Sequence, residues 1–211
     1  MNSKVWNAPK PPFIKYKKSM FLNASKVTGL VYQIGESEIL RKPSVEVSLR
    51  NIKTREMQLK FAFLKKRLQQ YTKITGHGRG MAAVQVGIPE NFFVAYTNLE
   101  KTKIETFINP KITKKSAKHL KYPEMCMSAN PVIVPLTRPA WIEFDYLEES
   151  GNSKHWSMKD ETKLGRMLNR VFQHEIDHLA GIINIDLVSS PKELILESNP
   201  SFYKKSKFET V

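Results

Sequence analysis

The segment His174-Glu175-Ile176-Asp177-His178 places the strongest constraint on how this chain folds, because its pattern is typical of a metal-binding helix. Residues four apart lie on the same face of a helix, so the imidazoles of His174 and His178 are expected to point at one ion. Glu175 lies off that face and reaches a water on the ion rather than the ion itself. Two neutral nitrogen ligands, an open coordination position and a nearby carboxylate base are what a metal-dependent hydrolase requires.

The helix that carries this segment is predicted to run from about Asp160 to Ala180, with Asp160 or Thr162 near its start and Gly181 as its stop. Its apolar arc is wide, which indicates a largely buried helix. Buried histidines need polar partners, and one bound metal supplies a partner to both. We therefore favour a metal site over two structural histidines, the alternative that the pattern leaves open.

Upstream of this helix the chain mixes helical and strand patterns. Apolar residues at 4-3-4-3 spacing predict an amphipathic helix. These residues are Met57, Phe61, Leu64, Leu68 and Tyr71. Short strands are predicted over residues 91–96 and 105–108, bounded by Pro89 and Pro110, and over 141–147, which a turn at Ser150-Gly151-Asn152 follows. The sequence therefore predicts an α+β fold of one domain, with short mixed or antiparallel sheets packed around a central metal-binding helix.

Composition narrows the setting in which this domain works. The chain has 211 residues and one cysteine, Cys126, so an intrachain disulfide is excluded and a reducing compartment is favoured. No apolar run approaches the roughly 20 residues that span a bilayer, which predicts a soluble protein without a membrane partner. The formal charge of +14 fits contact with ribosomal RNA, or merely a lysine-rich solvated surface. It indicates no specific DNA partner.

The two ends of the chain differ from its middle. Residues 1–27 form a basic segment that contains no acidic residue and several prolines, and we interpret it as a loosely held N-terminal arm. It lacks the apolar core of a secretory signal and the arginines of an organelle transit peptide. Residues 189–211 carry Pro191 and Pro200 and are expected to form a peripheral C-terminal tail.

A catalytic ion held by two histidines needs a third protein ligand. Cys126 is the obvious candidate, and the alternative is a buried inert thiol. A second alternative is a zincin-type protease, in which Glu193 or Glu197 is the third ligand. That alternative leaves Cys126 and the glycine-rich segment at 78–87 without a role.

The chain resembles the peptide deformylases, metalloenzymes that remove the formyl group from the N-formylmethionine of new polypeptides. Three motifs carry the resemblance in the order of the family: the glycine-rich segment at 78–87, Glu124-Met-Cys-Met-Ser128, and the segment from Gln173 to Leu179 with Gly181 after it. Weaker likeness extends over residues 28–188, which we take as the catalytic domain. Three ordered motifs together are far more specific than any one of them.

The resemblance assigns the chemistry to particular residues. It implies that Cys126, His174 and His178 bind one divalent metal per chain, typically Fe²⁺ in this family, with Zn²⁺, Ni²⁺ or Co²⁺ also accommodated. A thiolate with two imidazoles suits iron and zinc equally. Glu175 is then the general base, and the side-chain amide of Gln85 and the backbone N–H of Met127 stabilise the charge on the formyl oxygen.

The resemblance also implies a substrate-binding surface and a supporting charge network. The surface residues are Gly78, Arg79, Gly80, Met125, Met167 and Arg170, and the network residues are Glu124, Arg138 and Asp177. The two glycines let a peptide pair with the backbone as an added strand. Arg79 replaces a residue that is usually apolar in the family, and Met125 replaces a glycine. We therefore expect an intact hydrolytic centre with altered substrate preference or reduced turnover.

The expected function is removal of the formyl group from nascent formylated polypeptides, with release of formate. The basic surface suggests a ribosome as a further partner, and the expected location is a bacterial-type cytoplasm, with mitochondrion or plastid as alternatives. A degenerate deformylase fold that binds ribosomes or RNA without catalysis is the remaining alternative. Retention of three ligands and a base in the sequence argues against it.

Overall fold

The computed structural model describes Val27, residues 29–195 and the backbone of residues 196, 209 and 210. Apart from Val27, the basic arm predicted over residues 1–27 lies outside the described residues. Three α-helices are described: α1 (Leu49–Ile52), α2 (Arg55–Thr75) and α3 (Lys163–Leu179). Within the described ranges, none of them is long and apolar enough to cross a membrane.

The strands form two antiparallel sheets. In chain order they are β1 (Gly80–Ala82), β2 (Phe92–Tyr96), β3 (Ile104–Lys115), β4 (His119–Met125), β5 (Val132–Pro139), β6 (Ile142–Leu147), β7 (Ser153–Trp156), β8 (Ile195–Leu196) and β9 (Glu209–Thr210). The first sheet has the order β1-β2-β3-β6-β7 and the second the order β8-β5-β4-β9. Every strand pairing in both sheets is antiparallel, and with the helices this confirms the predicted α+β class.

Helix α2 covers one face of the first sheet, as the 4-3-4-3 spacing predicts. Thr54 caps its first turn, and Gly76 ends it in the left-handed conformation at φ 73°. All five residues that define the spacing are buried. They pack against alternate residues of β2, among them Phe92 and Val94.

Helix α3 covers the opposite face of the same sheet. Phe172 lies in an aromatic cluster with Phe93, Phe107 and Phe144, at ring-centroid distances of 4.8 to 5.5 Å. Because β2 is buried on both faces, it reads as a continuous apolar run rather than an alternating one. The first sheet is therefore the middle layer between α2 and α3.

The ends of α3 differ slightly from the prediction. The helix begins at Lys163 rather than near Asp160, because the Thr162 side chain accepts the Gly165 N–H at 2.9 Å and so caps it. Gly181 follows with φ 77°, which confirms it as the stop. The turn predicted at residues 150–152 is also confirmed, and it joins β6 to β7.

Strand β3 is longer than predicted and continues past Pro110 to Lys115. Asn109 has φ 48°, and the pairing with β6 shifts register between Ile108 and Lys111. A bulge of this kind removes the proline from the hydrogen-bonded ladder, so the strand does not end there. The expectation that Pro110 bounds the strand was wrong for this reason.

The second sheet is built on the β4–β5 hairpin, which the sequence patterns did not predict. Pro123 of β4 lies opposite Pro135 of β5 in the register. The described parts of the C-terminal tail form the edges of this sheet, because β8 pairs with β5 and β9 pairs with β4. The tail therefore contributes to the sheet that carries the cysteine motif.

Candidate active site

Helix α3 and the turn after β4 bring together the three residues proposed as metal ligands. The rings of His174 and His178 lie with centroids 4.9 Å apart and planes at 82°. Cys126 directly follows β4 and caps the 3-10 turn Met127–Ala129, where its sulfur accepts the Ser128 N–H at 3.3 Å. Cys126 and His178 are completely buried.

The donor atoms of these three residues have the spacing of one metal site. Cys126 Sγ lies 3.1 Å from His178 Nε2, and one donor atom from each of Cys126, His174 and His178 lies within 4.8 Å of the others. A tetrahedral ion with bonds of about 2.1 to 2.3 Å holds its ligands roughly 3.5 Å apart. Burial lowers the pKa of His178 well below its usual value, which keeps that ring in the neutral form that binds metals. The residues therefore fit a divalent ion.

Glu124 orients His174 from behind. Its Oε2 lies 3.1 Å from His174 Nδ1, which leaves the Nε2 of that ring for an ion. Burial opposes the charge on Glu124, but the nearby Arg138 guanidinium and the contact with His174 outweigh it and hold the pKa of Glu124 well below its usual value. The carboxylate is therefore ionised at neutral pH.

Arg138 joins Glu124 to the metal-binding helix. Its Nε and Nη2 donate to the two oxygens of Glu124 at 2.7 and 3.0 Å, and its Nη1 donates to Asp177 Oδ2 at 2.6 Å. Burial lowers the pKa of Arg138, but the two carboxylates outweigh burial and raise it. The structure thus joins buried Glu124 and Arg138 to half-buried Asp177 in one network rather than leaving three independent surface charges.

Glu175 lies beside the ligand cluster without a complete set of partners. The residue is 4% exposed, and its Oε2 is a buried atom that has no hydrogen-bond partner among the described residues. Burial raises the pKa of Glu175 to about 7, against the attraction of His174. A carboxyl group with a pKa near neutrality is suited to accept and return a proton.

The side-chain amide of Gln85 has a fixed orientation. Its Oε1 accepts the Ala82 N–H at 2.9 Å, so its NH₂ group faces the cysteine motif, where Nε2 donates to Ser128 Oγ at 3.1 Å. The same Nε2 lies 3.9 Å from Cys126 Sγ. Gln85 is 1% exposed, which rules out a merely solvated glutamine.

Comparison with known proteins assigns this arrangement to a family. The polypeptide deformylase family model matches residues 30–194. A peptide deformylase of Prochlorococcus marinus (strain NATL1A) is 34% identical over 178 residues, which cover 83% of this chain and 81% of that relative. The chain belongs to the polypeptide deformylase family. Members of this family are metal-dependent hydrolases that remove the N-formyl group from nascent polypeptides, so the family that the three motifs predict is confirmed.

Solved deformylase structures share the fold. The enzyme from Thermotoga maritima superposes with a TM-score of 0.64 and 26% identity, over 76% of this chain and 97% of that one. The enzyme from Synechococcus elongatus, solved with actinonin, superposes with a TM-score of 0.62 and 29% sequence identity, over 77% of this chain and 80% of that one. The zincin alternative is wrong, since the whole domain is a deformylase. Glu193 lies partly exposed in the 3-10 turn Pro191–Glu193, and Glu197 lies outside the described residues.

A cavity of about 340 Å³ opens beside Glu175 and His174 in this deformylase fold. Its lining includes all six residues predicted to bind substrate: Gly78, Arg79, Gly80, Met125, Met167 and Arg170. A volume of this size accommodates a methionine side chain and the adjoining peptide backbone.

Arg170 differs from the other five lining residues. Its guanidinium donates to Glu124 Oε1 at 2.8 Å and to the carbonyl oxygens of Leu120 and Leu136 at 2.7 and 3.2 Å. These contacts attach it to the Glu124 network. The structure therefore places Arg170 as a support of that carboxylate at the wall of the cavity.

Sequence reasoning missed two other contacts of the site. Ser128 holds the amide of Gln85, and Gln33 donates to the Met127 carbonyl at 3.0 Å. Lys101 also lines the cavity, although it lies in a polar turn between β2 and β3. Gln33 falls within the weaker likeness to the family and was available as a signal, whereas nothing in the sequence around Lys101 distinguishes it from a solvated lysine.

Proposed function

We propose that this deformylase binds one divalent metal through Cys126, His174 and His178 and hydrolyses the formyl amide with Glu175 as general base. The observation that carries the proposal is the buried Oε2 of Glu175, which has no partner in the described part of the chain and lies beside three converging donor atoms. An uncompensated carboxylate oxygen at such a place is costly unless a bound group uses it.

The donor set supports Fe²⁺ as the native ion and admits Zn²⁺, Ni²⁺ or Co²⁺, because a thiolate and two imidazoles suit each of them. When bound, the ion acidifies a water molecule and polarises the formyl carbonyl. Glu124 fixes the ring of His174 for this purpose, and burial keeps His178 neutral.

Glu175 moves the proton in the proposed reaction. Its carboxylate takes a proton from the attacking water, whose oxygen bonds to the formyl carbon, and later gives that proton to the nitrogen of the methionine as the C–N bond breaks. The products are formate and a free amino terminus. A pKa of about 7 allows both transfers near neutral pH.

Two donors face the charge that develops on the formyl oxygen. The Gln85 NH₂ group is directed toward the cysteine motif by the bond between its Oε1 and Ala82. The Met127 N–H begins the 3-10 turn Met127–Ala129, where the first N–H groups have no partner within the turn. Preorganised donors of this kind are commonly worth about 3 kcal/mol each.

The substrate backbone lies along Gly78 and Gly80. A Cβ atom on Gly80 would lie 2.6 Å from Glu175 Oε1, and one on Gly78 would lie 2.5 Å from Met127 Cε. Glycine at these positions therefore keeps the space between strand β1 and the catalytic side chains open. Met125 and Met167 supply a deformable apolar wall for the substrate methionine.

Formate release from a formyl-Met peptide tests the reaction. Iron-loaded protein is compared with Glu175→Gln, and Glu161→Gln, an exposed position just before α3, is the matched control. We expect the Glu175 variant to lose at least about 100-fold in kcat, the usual scale of general-base catalysis, and the control to keep its rate. Equal rates for wild type and Glu175→Gln contradict the proposed role.

Metal content tests the ligand set separately. Cys126→Ala is expected to lose the ion during dialysis, whereas Glu193→Ala is expected to retain it at one per chain. Elemental analysis of the protein purified without added metal identifies the native ion. Retention of metal by Cys126→Ala refutes the thiolate ligand.

We further propose that the substrate is met at the ribosome, in a bacterial-type cytoplasm or in a mitochondrion or plastid. The net charge of +14 supports contact with ribosomal RNA. Co-sedimentation with ribosomes at increasing salt tests this partner. Salt-sensitive RNA binding without any formate release supports a degenerate, non-catalytic module instead.

A further inference from the structure

Two cationic side chains line one wall of the cavity without an ion-pair partner. Arg79 and Lys101 are both half-buried, and both lie in the lining that also includes Glu175. Within the described part of the chain, no carboxylate forms a salt bridge with either of them. Lys103, in the same turn as Lys101, pairs instead with Glu105 at 2.9 Å.

The guanidinium of Arg79 is held in place by neutral groups. Its Nη1 donates to the carbonyl oxygens of Asn98 and Tyr96 at 2.8 and 3.3 Å. The backbone carbonyl of Arg79 in turn accepts the Tyr96 N–H at 2.8 Å. Carbonyl partners satisfy N–H groups but form no ion pair with the guanidinium, so the side chain is held in place and remains available to an anion.

Asn98 also fixes the turn that presents Lys101. Its Oδ1 accepts the N–H groups of Thr102 and Lys103, each at 3.0 Å, and its Nδ2 donates to Thr102 Oγ1 at 2.7 Å. Lys101 itself has φ 55°. The backbone beneath Lys101 is therefore set by its neighbours, and only the side chain has to adjust when a ligand arrives.

The two cations lie close enough to repel each other. Burial lowers the pKa of Arg79, with Glu100 acting against it as a nearby charge. Burial, followed by repulsion from Arg79, lowers the pKa of Lys101. An anion placed between two such groups relieves both the repulsion and the loss of hydration.

Two of the other charged groups of the cavity, Arg170 and Glu124, already have partners, and a third, Glu175, is the proposed general base. Arg170 is bound to Glu124 and two carbonyl oxygens, and Glu124 is bound to Arg138. Among the described residues, the positive charges of the cavity that have no ion-pair partner are therefore those of Arg79 and Lys101. Arg79 precedes Gly80, which packs against Glu175, and Arg79, Lys101 and Glu175 all line the same cavity, so a peptide bound there meets both the proposed base and the two cations.

We infer that Arg79 and Lys101 bind a carboxylate on one of the first two residues after the formylmethionine, so the enzyme prefers formylated peptides with Asp or Glu there. This inference rests on the proposed function, since it concerns the substrate of the same site. It assigns to Arg79 a selective role in place of the apolar contact that its position usually makes in the family.

The test compares peptides that differ only in charge. Formyl-Met-Asp-Ala and formyl-Met-Ala-Asp, both with amidated carboxyl ends, are compared with their Asn counterparts. The amide is needed because a free terminal carboxylate would itself occupy the two cations. We expect kcat/KM to be about tenfold higher for an Asp peptide than for its Asn counterpart, and the ratio to fall as salt is raised.

Variants locate the source of the preference. Lys101→Met and Arg79→Gln are each expected to lower the Asp/Asn ratio by roughly threefold, and Lys103→Met, in the same turn, is expected to leave it unchanged. Lys101→Glu is expected to shift preference toward a Lys peptide. A wild-type ratio near one, or a ratio that none of the cavity variants changes, overturns the inference.

Binding separates failure of this inference from failure of the proposed function. Calorimetry with the deformylated peptides Met-Asp-Ala-amide and Met-Asn-Ala-amide measures selection without turnover. If no peptide releases formate, the proposed function fails, and the ratio of the two dissociation constants still decides the inference. If formate is released and neither ratio favours Asp, only the inference fails.

Discussion

Replacing Glu124 by glutamine tests whether a buried carboxylate holds the metal ligands in place. Glu124 Oε1 accepts from Arg138 at 2.7 Å and from Arg170 at 2.8 Å, while Oε2 accepts from Arg138 at 3.0 Å and lies 3.1 Å from His174 Nδ1. Glutamine has one acceptor oxygen, so its NH₂ group must face two donors whichever way it is turned.

The expected loss of stability follows from these contacts. Hydrogen bonds to charged groups contribute about 1.5–3 kcal/mol each, and two of the contacts are lost. Removing one partner of a buried ion pair costs about 3–5 kcal/mol, which agrees with that sum. Because His174 loses the group that orients its ring, metal affinity is expected to fall about 10- to 100-fold.

Urea unfolding of the metal-free protein measures the loss of stability, and competition with a chelator measures the loss of metal affinity. Glu38→Gln is the control, because Glu38 forms an ion pair with Lys42 while 85% exposed, and no resolved change is expected there. The reasoning would be refuted by a loss below about 1 kcal/mol in the unfolding free energy of the metal-free protein, with an unchanged dependence of that free energy on urea concentration.

Unfolding of wild type and Glu124→Gln at acidic pH checks the direction in which Glu124 changes the stability with pH. The pKa of Glu124 is lowered in the folded state, so its ionisation stabilises the fold fully above the unfolded value of 4.5. That contribution is lost as the pH falls below 4.5 toward the folded pKa. The part of the stability difference between wild type and Glu124→Gln that comes from ionised Glu124 therefore shrinks as the pH falls below 4.5.

Three further substitutions test other parts of the structure. Gln85→Leu removes a donor to the formyl oxygen and is expected to lower kcat about 100- to 1,000-fold with metal content unchanged, measured by formate release and elemental analysis. Gly80→Ala puts a Cβ 2.6 Å from Glu175 Oε1 and is expected to lower kcat about 100-fold while the protein stays folded by circular dichroism. Phe172→Ala empties the centre of the aromatic cluster and is expected to cost about 3–5 kcal/mol in urea unfolding, whereas a loss below 1 kcal/mol contradicts that packing.

The parts of the fold that the sequence predicted are those with a strong local signal. Helix α2 has a regular apolar stripe, and α3 has a wide apolar arc, a threonine cap and a glycine stop. The β4–β5 hairpin gave no such signal, because Pro123 and Pro135 interrupt both strands and polar residues break the alternation. The two prolines lie opposite each other in the paired strands, and this arrangement cannot be predicted from either strand alone.

In the site, too, the geometry of residues close in sequence was predictable, whereas contacts between elements distant in sequence were not. The histidine pair and Glu175 are neighbours in one helix, so their spacing predicts their geometry. Lys101 reaches the cavity only because the turn after β2 is held to Arg79 through Asn98. The sequence predicted Arg170 as a substrate-binding residue. In the structure its guanidinium donates to Glu124 and Leu120 of β4 and to Leu136 of β5. Contacts of this kind depend on strand pairing that no local pattern encodes.

The ligand cluster lies where the second sheet meets α3, and this position joins metal affinity to the packing of the two layers. Glu124 comes from β4 and Arg138 from β5, and together they contact His174 and Asp177 on the helix. Gln85 reaches the same place from the turn after β1 and holds Ser128. A change that loosens the β4–β5 hairpin therefore moves Cys126 and Glu124 together, relative to the histidines. For this reason substitutions in the hairpin are expected to weaken metal binding before they unfold the first sheet.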